Sequence, residues 1–316
     1  MVDNTDMKIL FEQNWDCRQT NTELARKLRV SKQVINYRIA QLEKNKIIKS
    51  YHALIDWRKL GYNSIRVYIK WHNINPETEQ QIYEYMRSDF FFMWTVKFEG
   101  EFDVGFYLWA KEIPDFSKKW FEFLSRYKRY MQKYEIYESL NMIHYPMKSF
   151  IKNPFIDERI IGNGLPEECD ATDYKILQIL TTNAKSPIID IASKIRLTPK
   201  AALYRMKKLK EKGVILGFNA LIDTDKLGYG FYKVDFYLND LTKIKEMIEY
   251  AKVHSEIIAV MKTVGGPDYE IEIMTKNHVN VKAIIEEIRN RFPNTIEDYR
   301  FHRVEYTIKQ VYLPGQ

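Results

Sequence analysis

Cysteine is scarce in this chain. Cys17 and Cys169 are the only two among 316 residues, too few for a disulfide framework or a cysteine-rich zinc site. Long apolar runs are missing too: the best hydrophobic stretch, Phe90 to Trp94, is strand-sized, far below the ~18 residues a membrane-spanning helix needs. The opening Met1-Val2-Asp3-Asn4 lacks the basic region and apolar core of a secretory signal. His52, His72, His144, His254, His278 and His302 are scattered and share no ligand spacing with the cysteines, so no metal site emerges. No phosphate-cradling glycine loop or nucleophile motif is present. These absences predict a soluble, cytoplasmic protein with no catalytic residues, no metal and no cofactor. The remainder is an ordinary globular mixture, 45% hydrophobic, 29% charged and 14% aromatic. At about 100–200 residues per domain, the length predicts roughly two to four domains.

An internal repeat organises those domains. A shift of 167 positions lays residues 6–62 on 173–229 without a gap, with 19 of 57 positions identical. Lys8-Ile9-Leu10 falls on Lys175-Ile176-Leu177, and Tyr37-Arg38 on Tyr204-Arg205. Ala53-Leu54-Ile55-Asp56 falls on Ala220-Leu221-Ile222-Asp223, and Lys59-Leu60-Gly61-Tyr62 on Lys226-Leu227-Gly228-Tyr229. The match resumes at a shift of 165, where Gly100 meets Gly265 and Asp103 meets Asp268. The chain is a tandem duplication of a two-domain module. Between the copies, residues 146–169, with Pro154, Gly162, Gly164 and Pro166, read as a linker.

The formal net charge of +7 is unevenly placed. Residues 1–62 carry 12 Lys/Arg against 7 Asp/Glu, and residues 170–229 carry 11 against 6, so each contributes +5. Residues 63–145, 146–169 and 230–316 each contribute −1. A charge run on its own reads as a solvated face. Twice over in equivalent segments, it predicts attraction of a polyanion to the first half of each copy.

Those basic halves read as helix-turn-helix units. Asp6 to Asn14 forms a short helix, and Asn21 or Thr22 caps a second through Glu23, Leu24, Ala25 and Leu28. A turn at Arg29-Val30 leads to Ser31, the cap of a third helix ending near Asn45. In the second copy Thr198 is the cap and Pro199 the first helical residue. Residues 47–55 and 214–222 read as extended segments forming a wing. At 100° per residue, Ile35, Ile39 and Leu42 form the packing stripe of the third helix. Gln33, Tyr37, Gln41 and Lys44 point away, with Arg38 flanking. The second copy buries Ala202, Met206 and Leu209 and exposes Lys200, Tyr204, Lys207 and Lys208, with Arg205 flanking. With Ser31, Lys32, Asn36, Thr198 and Leu203 these are the candidate DNA contacts. Asn and Gln can read adenine edges, Arg and Lys guanine edges, and Lys, Arg and Tyr also bind phosphate. Any one of them alone also reads as a solubilising surface residue.

Each copy resembles a regulator of the leucine-responsive/AsnC (feast/famine) type. The resemblance rests on the opening Asp with Lys-Ile-Leu, on Ser31…Arg38-Ile39…Leu42-Glu43 followed by Ile47-Ile48, and on Thr198-Pro199…Arg205-Met206…Leu209 followed by Gly213-Val214-Ile215. It extends through the Ala-Leu-Ile-Asp…Lys-Leu-Gly-Tyr endings and the Gly-x-x-Asp pattern at Gly100…Asp103 and Gly265-Gly266-Pro267-Asp268. It covers nearly the whole chain outside the linker. Family members usually carry one module and dimerise, whereas this chain carries two; Lys46 also stands where the second copy has the usual Gly213.

The second half of each module reads as strand 62–72, helix 76–88, two strands around Gly100, a helix over 114–130 and a strand over 133–145. The other copy runs 229–238, 240–253, strands around Gly265, 278–291 and 296–313. This βαββαβ order is ferredoxin-like. The predicted fold is α+β, two tandem copies of a winged helix-turn-helix domain followed by a ferredoxin-like domain. The boundaries are 1–61, 62–145, the linker 146–169, 170–228 and 229–316. The resemblance implies that the second domains sense a small molecule, often an amino acid, with Gly100, Asp103, Gly265, Gly266 and Asp268 as candidate contacts; glycine and aspartate also serve tight turns. It further implies double-stranded DNA as partner and an intrachain pseudo-dimer, with further self-assembly open. One alternative is an architectural protein that coats DNA. Another is an enzyme similar to the siroheme decarboxylases, which share the architecture. Their His-Asn-Tyr-x-Arg-type stretch has no counterpart in residues 91–100 or 258–265, which contain no histidine.

Overall fold

The computed structural model describes residues 2–314. In the first copy, α1 (Asn4–Trp15), α2 (Asn21–Leu28) and α3 (Lys32–Lys44) precede β1 (Ile48–Ile55). Then come β2 (Asn63–Trp71), α4 (Pro76–Ser88), β3 (Phe92–Glu99), β4 (Val104–Ala110), α5 (Ile113–Tyr127) and β5 (Met131–His144). The connecting segment holds β6 (Arg159–Ile161). The second copy repeats the order as α6 (Ala171–Thr182), α7 (Ile188–Ile195), α8 (Pro199–Glu211), β7 (Ile215–Ile222), β8 (Gly230–Leu238), α9 (Ile244–Val253), β9 (Ile257–Val264), β10 (Tyr269–Thr275), α10 (Val279–Arg291) and β11 (Ile296–Gln310). The cap of α2 is Thr20, not Asn21 or Thr22. Thr20 accepts from the Glu23 amide while the Glu23 carboxylate accepts from the Thr20 amide, a reciprocal capping box that its neighbours cannot make.

The sequence reading gives each copy its own wing. In the structure β1 and β7 instead pair with each other, antiparallel, across the copies. Neither strand after the third helix pairs within its own copy, and the two meet as a two-stranded sheet. The register is reciprocal: Tyr51 sits opposite Ala220, their equivalents Phe218 and Ala53 sit opposite one another, and His52 faces its own equivalent, Asn219. α1 packs on β7 and α6 on β1, so one shared core holds all six helices of the basic halves.

The ferredoxin-like halves are also joined edge to edge. Within each, the strand order places the last strand beside the first. The end of β5 continues onto β9, and the end of β11 onto β3. The order β2-β4-β3-β11-β8-β10-β9-β5 therefore returns to β2, closing an antiparallel ring, with β6 hung on the far end of β5. Side chains alternate across each strand. Val67, Ile69, Phe106 and Leu108 face the outer core under α4 and α5; Val234, Phe236, Ile271 and Ile273 face that under α9 and α10. The intervening residues point into the ring.

The connecting segment is tied down at several points. Lys148 is buried, and its Nζ donates to the Ala251 and Lys252 carbonyls at the C-terminal end of α9 (3.0 and 2.8 Å), a favourable place for a cation. The Arg159 guanidinium lies 3.9 Å from the Trp15 ring centre and donates to Asn219 Oδ1. The Gly162 and Asn163 amides donate to the buried Asp56 carboxylate. Among the described residues no helix is long and apolar enough to cross a membrane.

Candidate nucleic-acid interface

The third helix of each copy is set by its cap and its stripe. Ser31 Oγ accepts from the Val34 amide and Thr198 Oγ1 from the Ala201 amide, both at 3.2 Å. α2 and α7 end on Arg29 and Arg196, both with φ of 57°, a left-handed turn that aims the next helix across the first two. Ile35, Ile39 and Leu42, like Ala202, Met206 and Leu209, are buried. The opposite faces are bare. Ser31, Lys32, Gln33, Asn36, Tyr37 and Lys44 are exposed, as are Thr198, Lys200, Leu203, Tyr204, Lys207 and Lys208; Gln41 is half-buried. Tyr37, Leu203 and Tyr204 keep 67%, 58% and 60% of their surface in water. Asn36 is tethered, accepting from Asn21 Nδ2 at 2.6 Å.

Arg38 and Arg205 differ from the rest. Arg38 Nη1 donates to Asp3 and Asp6 at 2.8 and 2.9 Å, and Arg205 Nη1 to Asp170 and Asp173 at the same distances. In each copy these two carboxylates form the capping box of the first helix. The backbone amide of Asp6 and the Arg38 guanidinium together hold the Asp3 carboxyl below its usual range. The arginine thus clamps the third helix to the start of the first, and its charge is already met. Arg38→Ala is expected to lower stability by about 1 kcal/mol, the upper range for a part-exposed ion pair, while leaving the salt slope of DNA binding unchanged. A slope reduced by about one would return Arg38 to the phosphate contacts.

The Gly-x-x-Asp turns lie at the seams between copies. Asp103 accepts from Lys70 Nζ and the Trp71 amide, and Asp268 from the Leu238 amide, so both carboxylates brace their own sheets. Gly100 and Gly266 face the other copy. A Cβ on Gly100 would lie 3.0 Å from His302 Nδ1, and one on Gly266 2.6 Å from the Tyr137 ring; Gly265 takes a φ of 80° with open space beside it.

Inside the ring lies a group that the sequence reading does not single out. Arg66, Lys233, Asp235, Glu270 and His302 are fully buried, and Glu272 nearly so. Arg66 pairs with Glu270, and Lys233 reaches Glu270 and Glu272 at 2.6 and 2.8 Å. Burial pushes the Glu270 carboxyl up, but Arg66 and Lys233 outweigh it and hold it well below the usual carboxylate range. Burial and the Glu270 charge push Asp235 well above that range. The signal was in the repeat alignment, since equivalent positions differ in charge: Tyr68 matches Asp235, Gly105 matches Glu270, and Glu135 matches Arg300.

A family model described as winged helix-turn-helix DNA-binding matches residues 2–49 and again 170–215. The transcriptional regulator FL11 of Pyrococcus horikoshii is 31% identical over 117 residues, 37% of this chain and 78% of its own length. The regulator LrpB of Bacillus subtilis is 24% identical over 144 residues, 46% of this chain and 91% of its own length. Each relative therefore matches about one module. Among solved structures, the siroheme decarboxylase NirDL has a TM-score of 0.64 over 99% of this chain and 94% of its own; at 15% identity the likeness is one of tandem fold alone. The chain belongs to the Lrp/AsnC (feast/famine) family of DNA-binding transcriptional regulators, with the family's module present twice in tandem.

Proposed function

We propose that the chain is a sequence-specific regulator in which one polypeptide supplies the two DNA-reading units that the family normally obtains by dimerisation. The observation that carries this is the reciprocal β1–β7 pairing, which ties two third helices, each with its polar face bare, into one unit. Ser31, Lys32, Gln33, Asn36, Tyr37, Gln41 and Lys44 face one half-site. Thr198, Lys200, Leu203, Tyr204, Lys207 and Lys208 face the other. Gln33, Asn36 and Gln41 are replaced by Lys200, Leu203 and Lys208, so the half-sites differ. A genomic-fragment selection at two salt concentrations is expected to return a motif of two unlike half-sites at fixed spacing. A perfect palindrome would refute the asymmetry, and uniform, salt-sensitive binding without a motif would favour the architectural role. Failure to bind DNA together with tetrapyrrole binding would point to decarboxylase chemistry. Removing Lys200 or Lys208 is expected to lower the salt slope by about one for each lost phosphate contact.

An amino-acid-like effector completes the proposal. Gly100 and Gly266 lie against the opposite copy at His302 and Tyr137, and Asp103, Gly265 and Asp268 belong to the same two turns. A ligand there would shift the relation between copies only if it bound one arrangement better than another. Because the carboxylates are engaged, the backbone of the turns would contribute most of the contacts. Free amino acids are expected to raise the melting temperature; a complete screen with no shift would remove the effector from the scheme.

A further inference from the structure

We propose that the inner faces of the ring are charge-coded, so that the half formed by residues 62–145 accepts only the half formed by 229–316, from its own chain or from a second copy. This deepens the pseudo-dimer reading and rests on it.

The strand registers identify equivalent positions. Arg66 lies opposite Tyr107 and Tyr137, and Lys233 opposite Glu272 and His302. Tyr68 lies opposite Gly105 and Glu135, and Asp235 opposite Glu270 and Arg300. Both halves therefore bring a cation to the first position, Arg66 or Lys233. Only the second half brings buried carboxylates: Asp235, Glu270 and Glu272. The first half has Tyr68, Gly105 and Tyr107 in their places. Its Arg66 takes its counter-charge from Glu270 across the ring, with its guanidinium 4.7 Å from the Tyr107 ring centre.

Two first halves would bury two Arg66 guanidiniums with none of those carboxylates. Two second halves would bury six carboxyl groups around two Lys233, with the Arg300 of each half reaching only its own Asp235. Removing charges from water without compensation is strongly unfavourable, and such repulsive alternatives are a source of pairing specificity. The rim repeats the code. Arg300 Nη1 and Nη2 grip Glu135 Oε1 and Oε2 at 3.0 and 2.6 Å. The two residues are equivalent, so like pairing would set Glu135 against Glu135 or Arg300 against Arg300. The β1–β7 ribbon carries a weaker code, because Tyr51 and Phe218 are nearly interchangeable and Ala53 and Ala220 identical, with one asymmetric ion pair, Lys49 to Asp223 at 3.0 Å. A second copy can join through the ring only by exchanging unlike halves.

The test uses the full chain with a protease site inserted after the exposed Leu165, cut after folding. Isotope-labelled and unlabelled batches are mixed, unfolded in urea, refolded and read by native mass spectrometry. The expected result is that every complex holds one N-terminal and one C-terminal piece, with labels scrambled. Like pairs in statistical proportion would overturn the code and leave the pseudo-dimer standing; pieces that fold but stay single would overturn both. If the cut pieces do not refold, the intact chain decides through R66Q, E270Q and their combination. The double variant is expected to lower the melting temperature by clearly less than the two single shifts added together, and additive shifts would overturn the proposal.

Discussion

Glu270→Gln is expected to lower stability by about 3–5 kcal/mol, the cost of breaking a buried ion pair from one side. The substitution keeps the volume and one acceptor oxygen, so the loss reports charge rather than packing. Arg66 and Lys233 both lean on this carboxylate and both are fully buried. Glu272 still reaches Lys233 at 2.8 Å, but the Glu270 replacement leaves Arg66 without its cross-ring partner. Urea unfolding at pH 7 measures the loss. A change under about 1 kcal/mol would mean that water enters the ring and solvates both cations. Glu272→Gln is expected to cost less, because it meets Lys233 alone and its side chain keeps 9% of its surface exposed.

Acid is expected to destabilise the fold steeply between about pH 6.5 and 4.5. Burial lowers His52 to about 3 and His144 and His302 to about 4, from an ordinary value of 6.5, with His144 adding to the effect at His52 and Arg300 to that at His302. Their rings are stacked on Tyr312, on Trp15 and among Tyr68, Phe98 and Phe102 respectively. In this range the unfolded chain binds three protons that the folded chain refuses, so stability falls as the pH falls. Asp235 acts in the opposite sense: burial and the Glu270 charge raise it in the fold, so the folded state holds a proton that the unfolded state has released. These four groups alone give a net difference of about two protons, a slope near 2.7 kcal/mol per pH unit at its steepest, and His254, also lowered by burial, adds to it. Urea midpoints at pH 7, 6 and 5 provide the check, and a flat profile would show the imidazoles charged in the fold. His302→Gln should reduce the slope by one proton's share.

The helix-turn-helix units were legible because their determinants are local. Ile35, Ile39 and Leu42 recur at helical spacing, and Ser31 and Thr198 stand directly before helices they cap. The β1–β7 ribbon was not legible, since its partners lie 160 or more residues apart and each strand alone looks like the start of a wing. The clamp made by Arg38 was not legible for a similar reason: helical spacing places it beside the exposed face, and only the fold brings Asp3 and Asp6, over 30 residues earlier, to its guanidinium. The charged interior was hidden by its own pattern. In β8, Lys233 and Asp235 alternate with Tyr232, Val234 and Phe236, the signature of a strand with one wet face. That face is dry because the other copy's sheet covers it.

The closed ring also bears on how the sequence can change. In a dimer of identical chains every substitution is written twice, and each residue near the axis must tolerate its own image. Here one codon alters one side only. Glu135 and Arg300, or Tyr68 and Asp235, could diverge in opposite directions while keeping their fit. The same freedom extends to α3 and α8, which are now at liberty to recognise different words of DNA.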